Sequence, residues 1–143
     1  HARALEMAGK SFELSELLTR VLNVEDVGAS YPIRATYHMS CHLRALGLTD
    51  EPLRLLRRVR GLELVPLERH DECCGFGGSF SVRYPLISQA MTEDKCRLIA
   101  ATGAQAVIAT DSGCLMNMGG CLRRQARRSV HTLHLAEVLE RVD

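Results

Sequence analysis

Aromatic side chains and an excess of charge of either sign are both lacking in this sequence. It contains no tryptophan, three tyrosines and three phenylalanines in 143 residues, and its net charge is +1. Nucleic-acid-binding surfaces usually combine stacking aromatics with a basic patch, so we expect no nucleic-acid partner. The longest apolar runs are far too short to span a bilayer, so we also expect no membrane span.

Two common ligand-binding motifs are missing as well. The segment DECCGFGGSF (71–80) is rich in glycine, but Phe80 occupies the place of the third glycine of a dinucleotide loop, and no Gly-Lys-Ser/Thr follows. No Cys-x-x-Cys pair occurs, although such pairs are typical of structural zinc sites. A phosphate-binding loop is therefore disfavoured, and a compact zinc knuckle is not indicated.

Cysteine, by contrast, is plentiful, with six residues in a chain that is 46% apolar. A chain of this size and apolar content can fold without disulfides. No secretory signal pattern opens the sequence, so we expect a reducing, cytoplasmic location. In that compartment, clustered cysteines favour metal ligation or redox chemistry.

Strand-like and helix-like segments alternate along the chain. This order predicts an α/β fold, in which a small parallel sheet of about four strands is flanked by helices in three Rossmann-like layers. The predicted strands cover 33–37, 62–67, 106–109 and 129–132. The predicted helices cover 12–22, about 51–60, about 85–101, an arginine-rich segment after GCLMNMGG, and the C-terminal residues.

Four of the cysteines follow the ends of predicted strands. Cys41 follows the first strand, Cys73 and Cys74 the second, and Cys114 the third. Because right-handed crossovers return the chain to the same edge of a parallel sheet, we expect these thiols to converge at the C-terminal edge. The sequence therefore predicts a site built from four thiolates.

The other two cysteines are not expected to join that site. Cys96 falls in the middle of a predicted helix, where a small apolar residue packs well. Cys121 could reach the site only if a helix started directly at Cys114, and Gly119 and Gly120 argue against such an early start.

Glycines shape the loop that carries the adjacent cysteines. Gly75 allows a tight turn, which lets both thiols point inward. Gly77 and Gly78 would let backbone N–H groups approach a bulky ligand and donate hydrogen bonds to its sulfurs. An iron–sulfur cluster, a zinc ion and a Cys73–Cys74 redox pair all remain open on this reasoning.

Three segments resemble the cysteine-rich CCG-domain family. They are YHMSCHLRALG (37–47), ECCGFGGSFSVRYPLISQAMTEDK (72–95) and GCLMNMGG (113–120). Members of this family serve as iron–sulfur subunits of lactate- and glycolate-oxidising complexes and of heterodisulfide reductase. The resemblance implies that residues 1–143 form one CCG domain, the second of two in a longer chain.

The resemblance also implies a ligand set and supporting residues. The family holds a 4Fe–4S cluster, or a noncubane form of it, through cysteines that match Cys41, Cys73, Cys74 and Cys114. Asn117 stands where the family has a last cysteine, which argues against a five-thiolate noncubane cluster. From their positions near these cysteines, the residues that we expect to support the ligands are His38, His42, Gly75, Gly77, Gly78 and Asn117; for the two histidines, packing or hydrogen bonding at the strand end is the alternative interpretation.

An electron-transfer role in an oxidoreductase complex is the function that the resemblance implies. The substrate would be a 2-hydroxy acid such as L-lactate or glycolate, oxidised by a flavin- or iron–sulfur-containing partner subunit, because no flavin or nicotinamide motif is present here. The alternatives are a zinc-binding or metal-free assembly module, and a disulfide-reducing cluster of the heterodisulfide reductase type. The first alternative would leave the protein colourless.

Overall fold

Four parallel strands form the central sheet of the computed structural model, which describes residues 1–125 and 130–142. The strands are β1 (Ser30–Tyr37), β2 (Arg60–Val65), β3 (Ala106–Ala109) and β4 (His131–His134). They lie in the order β2-β1-β3-β4, and every pair of neighbours is parallel. The predicted α/β fold class is confirmed.

Helices connect the strands and cover both faces of the sheet. They are α1 (Ala2–Ala8), α2 (Leu14–Glu16, continued by a π-helical turn at Leu17–Val21), α3 (Cys41–Ala45), α4 (Glu51–Leu56), α5 (Ser79–Arg83), α6 (Pro85–Ala101), α7 (Ser112–Arg124) and α8 (Leu135–Leu139). None of the helices within the described residues is long and apolar enough to cross a membrane.

Strand β3 divides the interior into two cores. Ala106 and Ile108 pack into one core together with side chains of α4 and α8. Val107 and Ala109 pack into the other, together with side chains of α6 and α7. This alternation follows from the period of two along a strand, and it requires a layer of helices on each face. The predicted three-layer arrangement is therefore present.

Some boundaries differ from the sequence-based expectations. The helix expected over about 51–60 ends at Leu56, because the chain turns there and already enters β2 at Arg60. The helix expected over 12–22 has only a short regular part before its π-helical turn. Helix α1 was not expected; it buries none of its residues and leaves its apolar Leu5 and Met7 side chains exposed.

Helix α7 begins earlier than predicted. The Asp111 carboxylate caps it by accepting a hydrogen bond from the Cys114 backbone N–H at 2.9 Å. Gly119 and Gly120 then lie inside the helix, which corrects the expectation that they would delay it. A Cβ at Gly119 would come within 3.2 Å of Thr132, so a glycine here lets α7 pack closely on β4. The predicted strand at 129–132 is found at His131–His134, and position 129 lies outside the described residues.

Candidate metal centre

The four candidate thiols lie on segments that leave the C-terminal ends of β1, β2 and β3. Cys41 is the first residue of α3, whose N-terminus is capped by the Ser40 hydroxyl. Cys73 and Cys74 lie in the loop between β2 and α5, which we call the CCG loop (Asp71–Gly78). Cys114 lies in the first turn of α7. Each position follows from a crossover that returns the chain to this edge of the sheet.

Two of these thiols meet directly. The sulfurs of Cys74 and Cys114 are 3.1 Å apart, and both residues are buried. A ring nitrogen of His38 joins them, so that the three donor atoms all lie within 4.8 Å of one another. We call these three residues the Cys–His group. It has the size and the soft donor atoms of a metal site.

The His38 side chain is buried beside these two sulfurs. It is 1% exposed, and among the described residues neither of its ring nitrogens has a hydrogen-bond partner. Buried polar atoms are normally satisfied, so an unbonded imidazole beside two thiols calls for a ligand or a proton acceptor. The sequence indicated a supporting role for His38, whereas the structure places its ring among the donor atoms themselves.

The close approach of the Cys74 and Cys114 sulfurs shifts the pKa values of the two thiols in opposite directions. Hydrogen bonding with Cys114 lowers the pKa of Cys74 against the opposing effect of burial, and the nearby His38 contributes to the resulting value of about 4. The pKa of Cys114 is raised far above its usual range by the same hydrogen bond and by burial. The two shifts have opposite directions, so Cys74 is the member of the pair that loses its proton more readily, and the thiolate is the form of cysteine that binds metal.

Cys73 and Cys41 lie further towards the solvent. Cys73 is half-buried, and its sulfur accepts a hydrogen bond from the Gly75 N–H at 3.4 Å. Burial raises the pKa of Cys73, and negative charge on Cys74 and Cys41 adds to this effect. Cys41 is exposed, yet its charge also helps to raise the pKa of Cys114. The four sulfurs therefore influence one another electrostatically at one edge of the sheet.

Two neighbouring helices hold the CCG loop in place. The Ser88 hydroxyl on α6 donates to the Gly75 carbonyl at 2.7 Å, and the Thr92 hydroxyl lies 3.0 Å from the Cys74 carbonyl. The Asn117 amide on α7 donates to the Cys74 carbonyl at 3.0 Å and to the Thr92 hydroxyl at 2.8 Å. The Asn117 side chain, at the position where the family has its last cysteine, thus anchors the backbone of the CCG loop.

Gly75 is required by this close approach. Its φ is +86°, and a Cβ there would lie 2.6 Å from the Ser88 carbonyl oxygen. Both the backbone conformation and the contact exclude a side chain. The turn also brings the Phe76 backbone N–H to Cys74, where its hydrogen bond lowers the thiol pKa.

The remaining predicted residues lie at the margin of the site. Gly77 and Gly78 turn the chain into α5, and no hydrogen bond from their N–H groups to a cysteine occurs in the described part of the chain. The N–H groups that approach sulfur belong to Gly75 and Phe76 instead. His42 lies on the exposed side of α3.

Cys96 and Cys121 both pack in the core between the sheet and helices α6 and α7. The Cys96 thiol lies 3.5 Å from the Met118 carbonyl oxygen. Although α7 starts early enough to carry Cys121 towards the site, Cys121 is not part of the Cys–His group.

A family profile matches these features. The profile described as "CCG: Cysteine-rich domain" covers residues 35–119, which include every candidate ligand. The chain belongs to the CCG cysteine-rich domain family. Within this CCG domain the match begins in β1 and ends in α7, so it spans the three strand ends that carry the cysteines.

Curated relatives of this CCG domain are named Lactate utilization protein A. The protein from Shouchella clausii is 51% identical over 96% of the chain, the one from Bacillus licheniformis 47% over 96%, and the one from Geobacillus kaustophilus 50% over 96%. The chain spans 57% of the length of the first relative and 58% of that of the other two.

Sequence reasoning missed the polar side chains that support the CCG loop from α6. Ser88 and Thr92 are both buried, 5% and 2% exposed, and both contact the loop backbone. The available signal was their spacing of four residues, which places two small polar side chains on one face of a helix. Lys95, three residues further, extends the same face and is also buried.

Proposed function

We propose that this domain holds a 4Fe–4S cluster through Cys41, Cys73, Cys74 and Cys114 and passes electrons within an oxidoreductase complex. The observation that carries the proposal is the convergence, at the C-terminal edge of the sheet, of three chain segments that together carry four cysteines. Thiolates are the ligands that iron–sulfur clusters use, and single cysteines from separate strand ends suit a wide ligand.

The residues present fit such a cluster. Four thiols face one edge of the sheet, and backbone N–H groups of the CCG loop already point at two of the sulfurs. Gly75 leaves the loop without a side chain on its inner side, where α6 approaches. A cubane cluster needs four thiolates, and Asn117 supplies an anchoring amide rather than a fifth.

Each residue has a task in this proposal. When bound, the cluster would accept and release single electrons. Asn117, Thr92 and Ser88 fix the backbone of the CCG loop, so that the Cys74 sulfur keeps its position during electron transfer. The N–H groups of Gly75 and Phe76 stabilise negative charge on the cysteine sulfurs, and hydrogen bonds of this kind tune cluster potentials.

The relatives' name, Lactate utilization protein A, supports a role in the use of lactate, whereas the partners that we propose follow from the family resemblance of the cysteine motifs. A complex that oxidises a 2-hydroxy acid, L-lactate or glycolate, in the cytoplasm would supply the electrons through a flavin- or iron–sulfur-containing subunit. A sister CCG domain in the longer chain would be the second neighbour. Exposed apolar side chains next to the CCG loop support a docking surface there, since Val82 and Leu86 are each 80% exposed.

Zinc is the second candidate. The Cys–His group supports it, because three donor atoms within 4.8 Å of one another suit one tetrahedral ion. In that case His38 would be a ligand, and the domain would assemble the complex without carrying electrons.

Anaerobic loading of the purified chain with iron and sulfide tests the proposal. If the domain binds a redox-active cluster, the protein becomes brown, and its visible absorption bleaches when dithionite is added and returns on reoxidation. A chain that stays colourless under these conditions but takes up zinc would support the second candidate instead. A colour that does not respond to reductant would contradict electron transfer.

A further inference from the structure

Lys95 is a buried cation beside the CCG loop. It lies on α6, is 2% exposed, and among the described residues it is the only buried lysine or arginine. Its ammonium donates a hydrogen bond to the Arg69 carbonyl oxygen, just before the CCG loop. The chain uses arginine at nearly every other basic position, with Lys10 as the exception.

The burial of this cation is not balanced by an ion pair. No carboxylate in residues 1–125 and 130–142 forms a salt bridge with Lys95, and one carbonyl satisfies only one of its three N–H donors. An uncompensated buried charge costs several kcal/mol. Burial accordingly lowers the pKa of Lys95, whereas negative charge on Glu72, Asp71 and Cys74 opposes that effect.

The groups around Lys95 show which negative charges could interact with its ammonium. A cavity of about 210 Å³ is lined by Glu72, Cys73, Met91, Asp94 and Lys95. The two carboxylates in it are already paired, Glu72 with Arg69 at 3.2 Å and Asp94 with Arg69 at 2.8 Å. Cys73 lines the same cavity as Lys95, and negative charge on Cys74 acts on the Lys95 ammonium, so thiolates formed by these cysteines are negative groups close to this cation.

We propose that Lys95 is the buried counter-charge of the CCG thiolates and thereby strengthens metal binding by this domain. The inference rests on the proposed function in one respect, namely that Cys73 and Cys74 bind metal as thiolates. A centre with several thiolate ligands carries net negative charge, and a fixed ammonium beside it lowers the free energy of the loaded state.

Lys95→Met and Lys95→Gln separate charge from hydrogen bonding. Both remove the charge, whereas glutamine keeps a donor for the Arg69 carbonyl. We expect both variants to bind Co²⁺, the visible-absorption probe, at least about tenfold more weakly than the unaltered chain. The thermal midpoint of the metal-free variants should stay equal or rise, because a buried charge has been removed.

Lys10→Met is the matched control, because Lys10 is an exposed lysine paired with Glu6. It should leave Co²⁺ affinity unchanged, whereas Lys95→Arg, which keeps the charge, should retain more affinity than either neutral variant.

Three results would overturn the role of Lys95: unchanged Co²⁺ affinity in both neutral variants, rescue by glutamine alone, or a parallel fall of affinity and metal-free stability. Neutral variants that fail to fold without metal would overturn it as well, since the lysine would then serve the fold. If the unaltered chain bound no Co²⁺, this inference would be overturned, because it predicts that the cysteine thiolates bind that ion. The proposed iron–sulfur chemistry is tested separately by loading with iron and sulfide.

Discussion

At the scale of single residues, the six cysteines divide by position. The sulfurs of Cys74 and Cys114 lie 3.1 Å apart beside His38, whereas Cys96 is equally buried but packs in the core between α6 and α7. Burial alone therefore does not identify a ligand. What distinguishes Cys74 is a second sulfur and an unbonded imidazole within reach.

Cys74→Ser and Cys96→Ser form a matched pair of buried substitutions. We expect Cys74→Ser to lose bound metal and Cys96→Ser to retain it, because only Cys74 faces the other donor atoms. Metal content per chain after anaerobic loading measures the difference. Equal metal content in the two variants would refute the ligand assignment.

His38→Ala probes the imidazole, with His42→Ala as an exposed control. If four cysteines hold the cluster, His38→Ala should still load iron and sulfide. Its reduction potential should become more negative, because a polar donor near the Cys74 and Cys114 sulfurs is gone. A potentiometric titration measures this shift, and His42→Ala should show none. Loss of iron in His38→Ala would instead make His38 a ligand.

At the scale of elements, the CCG loop depends on helices that come after it in the sequence. Helix α6 contributes Ser88 and Thr92, and α7 contributes Asn117. The sequence predicted a helix from about Pro85 to Ala101 with a stop at Gly103, and these bounds are confirmed. The hydrogen bonds from these helices to the CCG loop could not be predicted, because the spacing of Ser88 and Thr92 places both on one helix face but does not identify the loop that they contact.

Thr92→Val tests the hydrogen bonding of α6 to the CCG loop with little change in the shape of the side chain. It removes a hydroxyl 3.0 Å from the Cys74 carbonyl, and we expect the free energy of unfolding to fall by about 1–2 kcal/mol. Urea unfolding of the metal-free chain measures the change. Thr49→Val, at an exposed position, is the control. If both variants lost the same stability, the Thr92 hydroxyl would not hold the loop.

Glu51 links α4 to the π-helical turn of α2. Its side chain is 8% exposed and pairs with Arg20 at 2.6 Å. Burial alone would raise the pKa of Glu51, but hydrogen bonds from backbone N–H groups and from Arg20 lower it overall. Because the folded pKa is lowered, this carboxylate stabilises the fold at neutral pH, and that stability is lost as the pH falls below the usual glutamate value of about 4.3.

Glu51→Gln should therefore lower the free energy of unfolding at pH 7 by about 1–3 kcal/mol. The difference from the unaltered chain should shrink as the pH falls from about 5 towards 3. Urea unfolding at several pH values measures both effects. Glu63→Gln, in an exposed pair with Arg34, should change stability by less than about 1 kcal/mol. A pH-independent difference for Glu51→Gln would contradict the carboxylate explanation.

At the scale of the whole molecule, the parallel sheet explains why distant cysteines meet. Strand order β2-β1-β3-β4 places the ends of β1, β2 and β3 side by side, so residues 41, 74 and 114 arrive at one edge. This convergence could be predicted from the alternation of strands and helices alone. The burial of each thiol could not be predicted in this way. Cys41 is exposed and Cys74 is buried because of how α3 and the CCG loop pack.

The central claim is that this edge holds an iron–sulfur cluster. Iron, zinc and acid-labile sulfide per chain, measured on protein purified without oxygen, test it most directly. We predict about four iron and four sulfide per chain and almost no zinc. One zinc per chain without sulfide, or no metal at all, would contradict the claim.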